Sequence, residues 1–197
     1  MMIESFETGP SLKTPVTTPI ALSSLQLPVC LSPSGTMPTY TLEYSFRQRL
    51  DAPARAAYAW CTDYDPSDGE LFPVKWVRSV RWLSDNALVL TDTTYPAGRT
   101  QRIHRLVHLN PSQMAWTNTH LDGPFRHSQY WYQIVPDGPR RSHLEFHGFR
   151  LVTSSRRLSR PEIVRMTAAE RRSDSELWRR RIAPALKRDL APRAGRS

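Results

Sequence analysis

The segment GPFRHSQYWYQIVPDG at residues 123–138 is too polar for an ordinary core strand and too aromatic for an ordinary surface strand. Tyrosine and tryptophan rings offer a large apolar area together with one polar atom each. A wall of such residues is typical of a small-molecule pocket, where buried area gives affinity and a few hydrogen bonds give orientation. Tyr130 and Tyr132 are two positions apart, so a β-strand would place both on the same face.

Four residues are candidates for chemistry in such a pocket. His120 and Tyr130 could accept or supply a proton, and Arg78 and Arg105 could stabilise an enolate-like oxygen. The sequence shows no carboxylate pair, no activated nucleophile and no phosphate-binding loop. Whether any reaction is catalysed therefore stays open at this point.

The histidines do not predict a metal site. His143 and His147 would share one strand face, but strand geometry separates them by about 13 Å, which is too far for joint coordination of one ion. We therefore expect neither a bound metal nor another cofactor.

The elements that would position these residues follow from periodicity and turn chemistry. Alternation with a period of two predicts a strand over 39–50. The residues DAPARAAYAWCTDYD favour a short helix with Asp51 or Ala52 as its cap and Pro53 in its first turn, and a further helical turn is expected near 66–71. Six more runs typical of strands follow, each bounded by turn residues, at 74–83, 86–94, 100–109, 113–122, 126–136 and 140–152.

The chain then turns into a long helix. Ser159 and Glu162 form a capping box at its start, and apolar residues recur at helical spacing through Trp178 and Ile182. Pro184 should kink this helix. Because the connections between the seven strands are short, the sheet should be an antiparallel meander, and the fold class is α+β.

Two segments and the order of elements resemble a known superfamily. YSFRQRLDAPARAAYAWCTDYD (44–65) is similar to the first strand and first helix of the SRPBCC or START-like proteins, and QYWYQIVPDGPRRSHLEFHG (129–148) looks like their last hairpin. These proteins include the birch pollen allergen, lipid-transfer START domains and polyketide aromatase/cyclases. The resemblance covers 39–191 and implies a helix-grip fold, in which a seven-stranded antiparallel sheet wraps around the long C-terminal helix and leaves a cavity between them.

Turn length decides which face of the last hairpin lines that cavity. A three-residue turn at 137–139 would set Tyr130 opposite Phe146, whereas a two-residue turn would shift the pairing by one and bury a mixed face, so burial favours the longer turn. The preceding turn at 123–125 would set Asn118 opposite Tyr130. We therefore expect the cavity to be lined by Tyr58, Trp60, Trp116, Asn118, His120, Ser128, Tyr130, Tyr132, Leu144, Phe146 and Trp178.

The net charge of +9 is concentrated near the C terminus. Residues 1–38 carry one basic and two acidic residues, a net of −1; residues 39–152 carry 13 and 11, a net of +2; and residues 153–197 carry 13 and 5, a net of +8. A basic helix most often forms a solvated face, and the alternative is a weak contact with an anionic membrane surface. We expect no specific nucleic-acid partner, because no nucleic-acid-binding motif accompanies the charge.

The first 38 residues hold six prolines and many Ser and Thr residues, which predicts a disordered tail. The expected organisation is one domain over 39–191 between the tails 1–38 and 192–197. The acidic start of the chain argues against a targeting peptide. Cys30 and Cys61 form no spacing motif and suggest a reducing compartment, so we expect a cytoplasmic protein.

Three functions are compatible with these observations. The first is the binding, and the transfer, of a hydrophobic or aromatic small molecule or lipid in the cavity. The second is a polyketide cyclase, aromatase or dehydratase activity on such a ligand, as the resemblance implies. The third is a module that binds a protein or peptide in the groove. Neither the identity of the ligand nor the oligomeric state follows from the residues.

Overall fold

Seven antiparallel strands form one sheet in the computed structural model, which describes residues 37–71, 76–95 and 100–191. The order across the sheet is β1-β7-β6-β5-β4-β3-β2, so the predicted meander is confirmed, with β1 beside β7. Cys30 and nearly all of the two expected tails lie outside the described residues. The strands are β1 (Thr39–Leu50), β2 (Trp76–Ser84), β3 (Ala87–Thr94), β4 (Gln101–Asn110), β5 (Ala115–His120), β6 (Gln129–Pro136) and β7 (Ser142–Thr153).

Helices cover one face of this sheet. The short helix α1 follows β1, the expected extra turn is a 3-10 helix, and the C-terminal helical region consists of α2, a π-helical turn and α3. Trp178, Ile182 and Leu186 are buried from this region against the sheet. The bounds are α1 (Ala54–Cys61), the 3-10 helix (Pro66–Leu71), α2 (Arg160–Leu177), the π-helical turn (Trp178–Ile182) and α3 (Ala183–Asp189).

The start of α1 differs from the prediction. Pro53 itself occupies the N-cap position and no side chain caps the helix, so the assignment of Asp51 or Ala52 as the cap is wrong. The Asp51 carboxylate instead lies 3.0 Å from Lys187 Nζ and 3.3 Å from Arg49 Nη2. These ion pairs hold its side chain away from the helix terminus.

The long helical region begins as predicted and is disturbed where a proline enters it. The backbone N–H and the hydroxyl of Ser159 both donate to Glu162 Oε2, at 2.8 and 2.7 Å. Pro184 has no N–H, so the carbonyl of Arg180 lacks its usual α-helical partner. A π-helical turn directly precedes Ala183 at this place, and the kink expected at Pro184 stays a prediction.

The last hairpin has the predicted faces but a different register. Tyr130 lies opposite Gly148 rather than Phe146, because the loop over 137–141 is five residues long and is closed by a hydrogen bond from the Asp137 N–H to the Arg141 carbonyl. The predicted pairing is therefore wrong by two positions. A shift of two keeps every side chain on its own face, and Asn118 does lie opposite Tyr130 as predicted.

Cross-strand pairing arranges the inner face of the sheet in three rows. Each row runs across neighbouring strands and faces the C-terminal helical region. One row is mainly aromatic, one mixes apolar residues with an amide, and one carries an arginine and a histidine. In that order the rows contain Leu109, Trp116, Tyr132, Phe146 and Phe46; then Leu88, Val107, Asn118, Tyr130, Gly148 and Tyr44; then Leu90, Arg105 and His120.

Candidate ligand cavity

A cavity of about 270 Å³ lies between the inner face of the sheet and the C-terminal helical region. Aromatic rings form much of its wall, and charged side chains enter it from the sheet and from α2. Its aromatic lining is Trp60, Tyr64, Trp116, Phe125, Tyr130, Tyr132, Phe146 and Trp178, and its charged lining is Asp68, Arg78, Arg105, Arg150 and Asp174.

Eight of the eleven residues expected to line the cavity do line it. The exceptions are Tyr58, Ser128 and Leu144, all of which are buried. The Tyr58 ring packs edge-on against Trp116, with 6.0 Å between ring centroids, and the Ser128 hydroxyl accepts a hydrogen bond of 2.9 Å from the Leu151 N–H. Tyr58 therefore supports the aromatic wall without lining the cavity itself.

The aromatic row is held rigidly by ring packing. Tyr132 stacks on Trp116 with centroids 4.8 Å apart and nearly parallel planes, and its other neighbours are Phe146 at 5.1 Å and Trp178 at 6.2 Å. Such packing leaves the rings few alternative rotamers, so the wall is formed before any ligand arrives.

Two arginines are fixed on the sheet side of the cavity by buried carboxylates. Arg78 donates through Nε to Asp92 Oδ1 at 2.9 Å and lies 2.7 Å from Asp68 Oδ2 through Nη1. The Arg105 guanidinium contacts the other oxygen of Asp92, which is 1% exposed. We call Arg78, Arg105, Asp68 and Asp92 the sheet-side network. Burial lowers the pKa of Arg105 to about 10, so its charge persists at neutral pH.

Two residues that line the cavity beside this network hold buried polar atoms without a protein partner. The Oδ1 atom of Asn118 and the Nδ1 atom of His120 have no hydrogen-bond partner among the described residues. Burial, followed by the charges of Arg105 and Arg150, lowers the pKa of His120 to about 4. The imidazole is therefore neutral at physiological pH, and it lies edge-on to Tyr130 with centroids 5.5 Å apart.

A second charged group lies on the helix side of the cavity. The Tyr44 hydroxyl donates to Asp174 Oδ2 at 2.5 Å, and the Arg150 guanidinium contacts the Glu170 carboxylate and lies 3.7 Å from the centre of the Phe125 ring. Burial raises the pKa of both Asp174 and Glu170. We call Arg150, Glu170 and Asp174, with Tyr44, the helix-side group.

Several solved structures share this architecture. The Zhui aromatase/cyclase from Streptomyces sp. R1128 matches with a TM-score of 0.62 and 16% identity over 79% of this chain and 99% of its own. A START superfamily protein from Mycobacterium smegmatis matches with a TM-score of 0.52 and 14% identity over 75% and 99%. The di-domain aromatase/cyclase BexL of the BE-7585A pathway matches with a TM-score of 0.52 and 16% identity over 80% and 51%. This chain has the START-like helix-grip fold.

Such low identities establish the helix-grip fold and nothing finer. No protein-family model matches the sequence, and no curated protein is similar to it. In the part of the chain that the structure describes, no group of three or more His, Cys, Asp or Glu side chains is arranged to hold a metal. No helix within the described ranges is long and apolar enough to cross a bilayer, and the cytoplasmic location stays a prediction.

Sequence reasoning missed the helix-side group, although the helix-grip fold and strand parity contain signals for it. Arg150 follows Phe146 by four positions and so shares its inner face, and Asp174 precedes the buried Trp178 by one helical turn. Gly148 is the third signal. A Cβ atom there would lie 2.9 Å from Tyr44 Cζ, so the glycine leaves room for the Tyr44 ring to cross the sheet surface towards α2.

Proposed function

We propose that this chain binds a hydrophobic or aromatic small molecule in the cavity between the sheet and the C-terminal helical region. The observation that carries the proposal is an aromatic wall in which two of the lining residues hold buried polar atoms without a protein partner, Asn118 Oδ1 and His120 Nδ1. A buried polar group without a hydrogen bond costs roughly 1–3 kcal/mol. A ligand that supplies those bonds recovers that cost and gains the apolar contact area as well.

The size of the cavity narrows the ligand class. Pockets for drug-sized molecules enclose about 300–1,000 Å³, and about 270 Å³ lies just below that range. A ligand of one or two rings fits this volume, whereas a lipid with two acyl chains exceeds it. The proposal is therefore for an aromatic small molecule, and transfer of a large lipid is the less favoured version.

Fluorescence titration with the uncharged probe N-phenyl-1-naphthylamine tests this proposal. Leu177 lines the cavity, so Leu177→Trp should fill it and weaken probe binding by about tenfold or more. The matched control is Val164→Trp, because Val164 lies on the same helix and is 59% exposed; it should bind as the wild type does. Wild-type protein that takes up no probe, or a Leu177→Trp variant that still binds it fully, contradicts the proposal.

A cyclase or dehydratase activity is the second candidate, and one observation favours it. Arg105 pairs directly with His120 across β4 and β5, which places a neutral imidazole next to a fixed cation. Such a pair can remove a proton from the carbon between two carbonyl groups while the electron pair moves to an oxygen near the cation. Tyr130 lies close enough to the imidazole to act as a proton donor in a later step.

Proton exchange on a β-diketone measures this second function. The wild type should accelerate deuterium uptake at the central carbon of 1-phenyl-1,3-butanedione, and His120→Ala should remove about 10²-fold or more of that acceleration. His127→Ala is the control, because His127 is an exposed loop residue. Equal exchange in both variants would eliminate His120 as a base and leave binding as the function.

The basic side of the C-terminal helical region supports a weak contact with an anionic membrane surface. Arg165, Arg172 and Arg179 are exposed and recur every seven residues, which places them along one side of the helix. Flotation with phosphatidylcholine vesicles, with and without about a third phosphatidylglycerol, should show binding that depends on the anionic lipid and weakens with salt. Equal binding to vesicles with and without phosphatidylglycerol would contradict a contact with anionic membrane surfaces.

A further inference from the structure

The carboxylate of Asp174 has no cationic partner in the cavity wall. Its hydrogen bond from the Tyr44 hydroxyl is neutral, and no ion pair joins it to a Lys, Arg or His among the described residues. Arg150 is near enough to stabilise its charge, but the Arg150 guanidinium contacts Glu170. Two carboxyl groups therefore share one cation on the helix side, and Asp174 is the one without an ion pair.

Charge elsewhere in the cavity does not correct this imbalance. The sheet-side network contains two arginines and two aspartates, which compensate each other. The sheet-side network and the helix-side group together therefore contain four carboxylates and three arginines. Isolated buried charges are costly in proteins and normally acquire a partner, and within this cavity the remaining place for a partner is the ligand.

The surroundings of Asp174 suit an organic cation. Trp178 lies one helical turn from Asp174 and donates its backbone N–H to the Asp174 carbonyl. Phe146 is central among the nearby rings, 5.8 Å from Tyr44, 6.0 Å from Tyr130 and 5.1 Å from Tyr132 between centroids. Aromatic faces attract ammonium groups, most strongly where water is excluded. A single carboxylate among rings does not provide the several ligands that a metal ion needs.

A second hydrogen-bond acceptor on the sheet also favours a ligand that donates hydrogen bonds. Asn118 belongs to the same cross-strand row as Tyr44, and its buried Oδ1 has no protein partner. The cavity thus offers a carboxylate and an amide oxygen to groups that donate hydrogen bonds. Burial raises the pKa of Asp174, and a bound cation would favour its ionised form.

We propose that the ligand of this cavity carries an amine, and that its ammonium group pairs with Asp174 between the rings of Phe146, Tyr132 and Trp178. This proposal rests on the proposed function, because it names the class of small molecule that the cavity takes. Tyr44 positions the Asp174 carboxylate through Oδ2 and leaves Oδ1 to accept from the ammonium group. The charge, rather than the ring system, then decides which aromatic ligand is preferred.

Calorimetric titration with three probes that share one ring system tests whether the cavity prefers a ligand with an amine. The probes are 2-(naphthalen-2-yl)ethylamine, 2-(naphthalen-2-yl)ethanol and naphthalene-2-acetate, at near-neutral pH. The wild type should bind the amine about tenfold more tightly than the alcohol and the carboxylate most weakly. Asp174→Asn should bring the amine and the alcohol within about twofold of each other without weakening the alcohol. Glu176→Gln is the matched control, because it removes a carboxylate of the same helix that is 44% exposed and does not line the cavity, and it should keep the preference.

The outcomes separate this inference from the function on which it rests. If the alcohol binds and the amine is not preferred, or if Asp174→Asn keeps the preference, the proposal of an amine ligand is wrong while the proposed binding function stands. If none of the three probes binds, both the amine proposal and the binding function are wrong. Thermal unfolding shows whether Asp174→Asn is folded; if it is not, Asp174→Glu keeps the charge and should retain the preference, and its loss would overturn the proposal.

Discussion

The two charged regions of the cavity wall differ in how their charges are compensated. On the sheet side, both guanidinium groups contact the single buried carboxylate of Asp92, and Asp68 completes the balance. On the helix side, Arg150 is committed to Glu170, and Asp174 relies on a tyrosine hydroxyl. In the first region arginines and carboxyl groups are equal in number, and in the second there are two carboxyl groups for one arginine.

This difference indicates different roles for the two regions. A compensated buried network fixes its members in one geometry, and removing one member leaves the others unpaired at high cost. An uncompensated carboxylate contributes little to stability before a ligand binds. The sheet side therefore supports the wall and aims Arg105 towards the cavity, whereas the helix side is where a ligand can gain binding energy.

The largest expected effect comes from breaking the sheet-side network. Asp92→Asn removes the carboxylate that both arginines share, so the free energy of unfolding should fall by about 3–5 kcal/mol. Asp174→Asn is the matched control on the helix side and should change it by about 1 kcal/mol or less. Urea unfolding of both variants measures the contrast. Equal losses would mean that the two regions are compensated alike.

The packing of the helix side should also be sensitive to truncation. Trp178 is 7% exposed and lies in the core cluster, so Trp178→Ala should lower the free energy of unfolding by about 3 kcal/mol or more. Trp82 is 52% exposed on β2, and Trp82→Ala should change it by about 0.5 kcal/mol or less. A Trp178→Ala variant as stable as the wild type would place this ring outside the core.

The pH dependence of stability should identify Asp68 as the weak point of the sheet-side network. Burial raises the pKa of Asp68 to about 6, although Arg78 opposes this shift. From about pH 4 to about pH 6 the folded state keeps a proton that the unfolded state loses, so this carboxyl makes stability fall as pH rises through that window. Above this window the loss is complete, and it stays below the roughly 3 kcal/mol that two pKa units represent because Asp68 is partly exposed to water.

Asp68→Asn isolates this contribution. Its free energy of unfolding relative to the wild type should rise from about pH 4 to about pH 7, whereas Asp85→Asn, in the exposed turn between β2 and β3, should give a constant difference. A carboxyl carbon titration by NMR checks the pKa directly. A relative stability that does not change with pH would show that Asp68 is as well solvated as Asp85.

Strand faces were predictable because alternation encodes them directly. The strand predicted over 39–50 is β1 with the same ends, the other strand ends differ from the prediction by up to about three residues, and the expected inward positions Tyr130 and Phe146 are both buried. A register error of two positions leaves each side chain on the same face of the sheet, which is why the hairpin faces are right although Tyr130 pairs with Gly148. The alternation of polar and apolar residues does not depend on the length of the loop over 137–141, so the register itself could not be predicted.

Local patterns place Arg150 and Asp174 on inward-facing positions, but they do not show that the members of the helix-side group meet. Its formation requires the rotation of α2 about its own axis and the close approach of α2 to β1, which Gly148 permits. Residue type alone does not distinguish Asp174 from the other acidic residues of the basic C-terminal helix. A compensated pair such as Arg78 and Asp92, by contrast, lies on paired strands whose faces can be predicted once the register is known.

The smallest expected effect concerns the ring that lies between the two charged regions. Tyr130 is close enough to Arg105 and Asp174 for both to affect its pKa, which burial raises to about 12. Tyr130→Phe keeps the ring and should change the free energy of unfolding by about 1 kcal/mol or less, but it should weaken probe binding several-fold because a hydroxyl in a dry pocket orients the ligand. Trp131 faces the other side of β6 and packs on His147 at 5.4 Å, so Trp131→Phe should leave binding unchanged. If Trp131→Phe abolishes probe uptake and Tyr130→Phe does not, ligands bind on the outer face of the sheet rather than between the two charged regions.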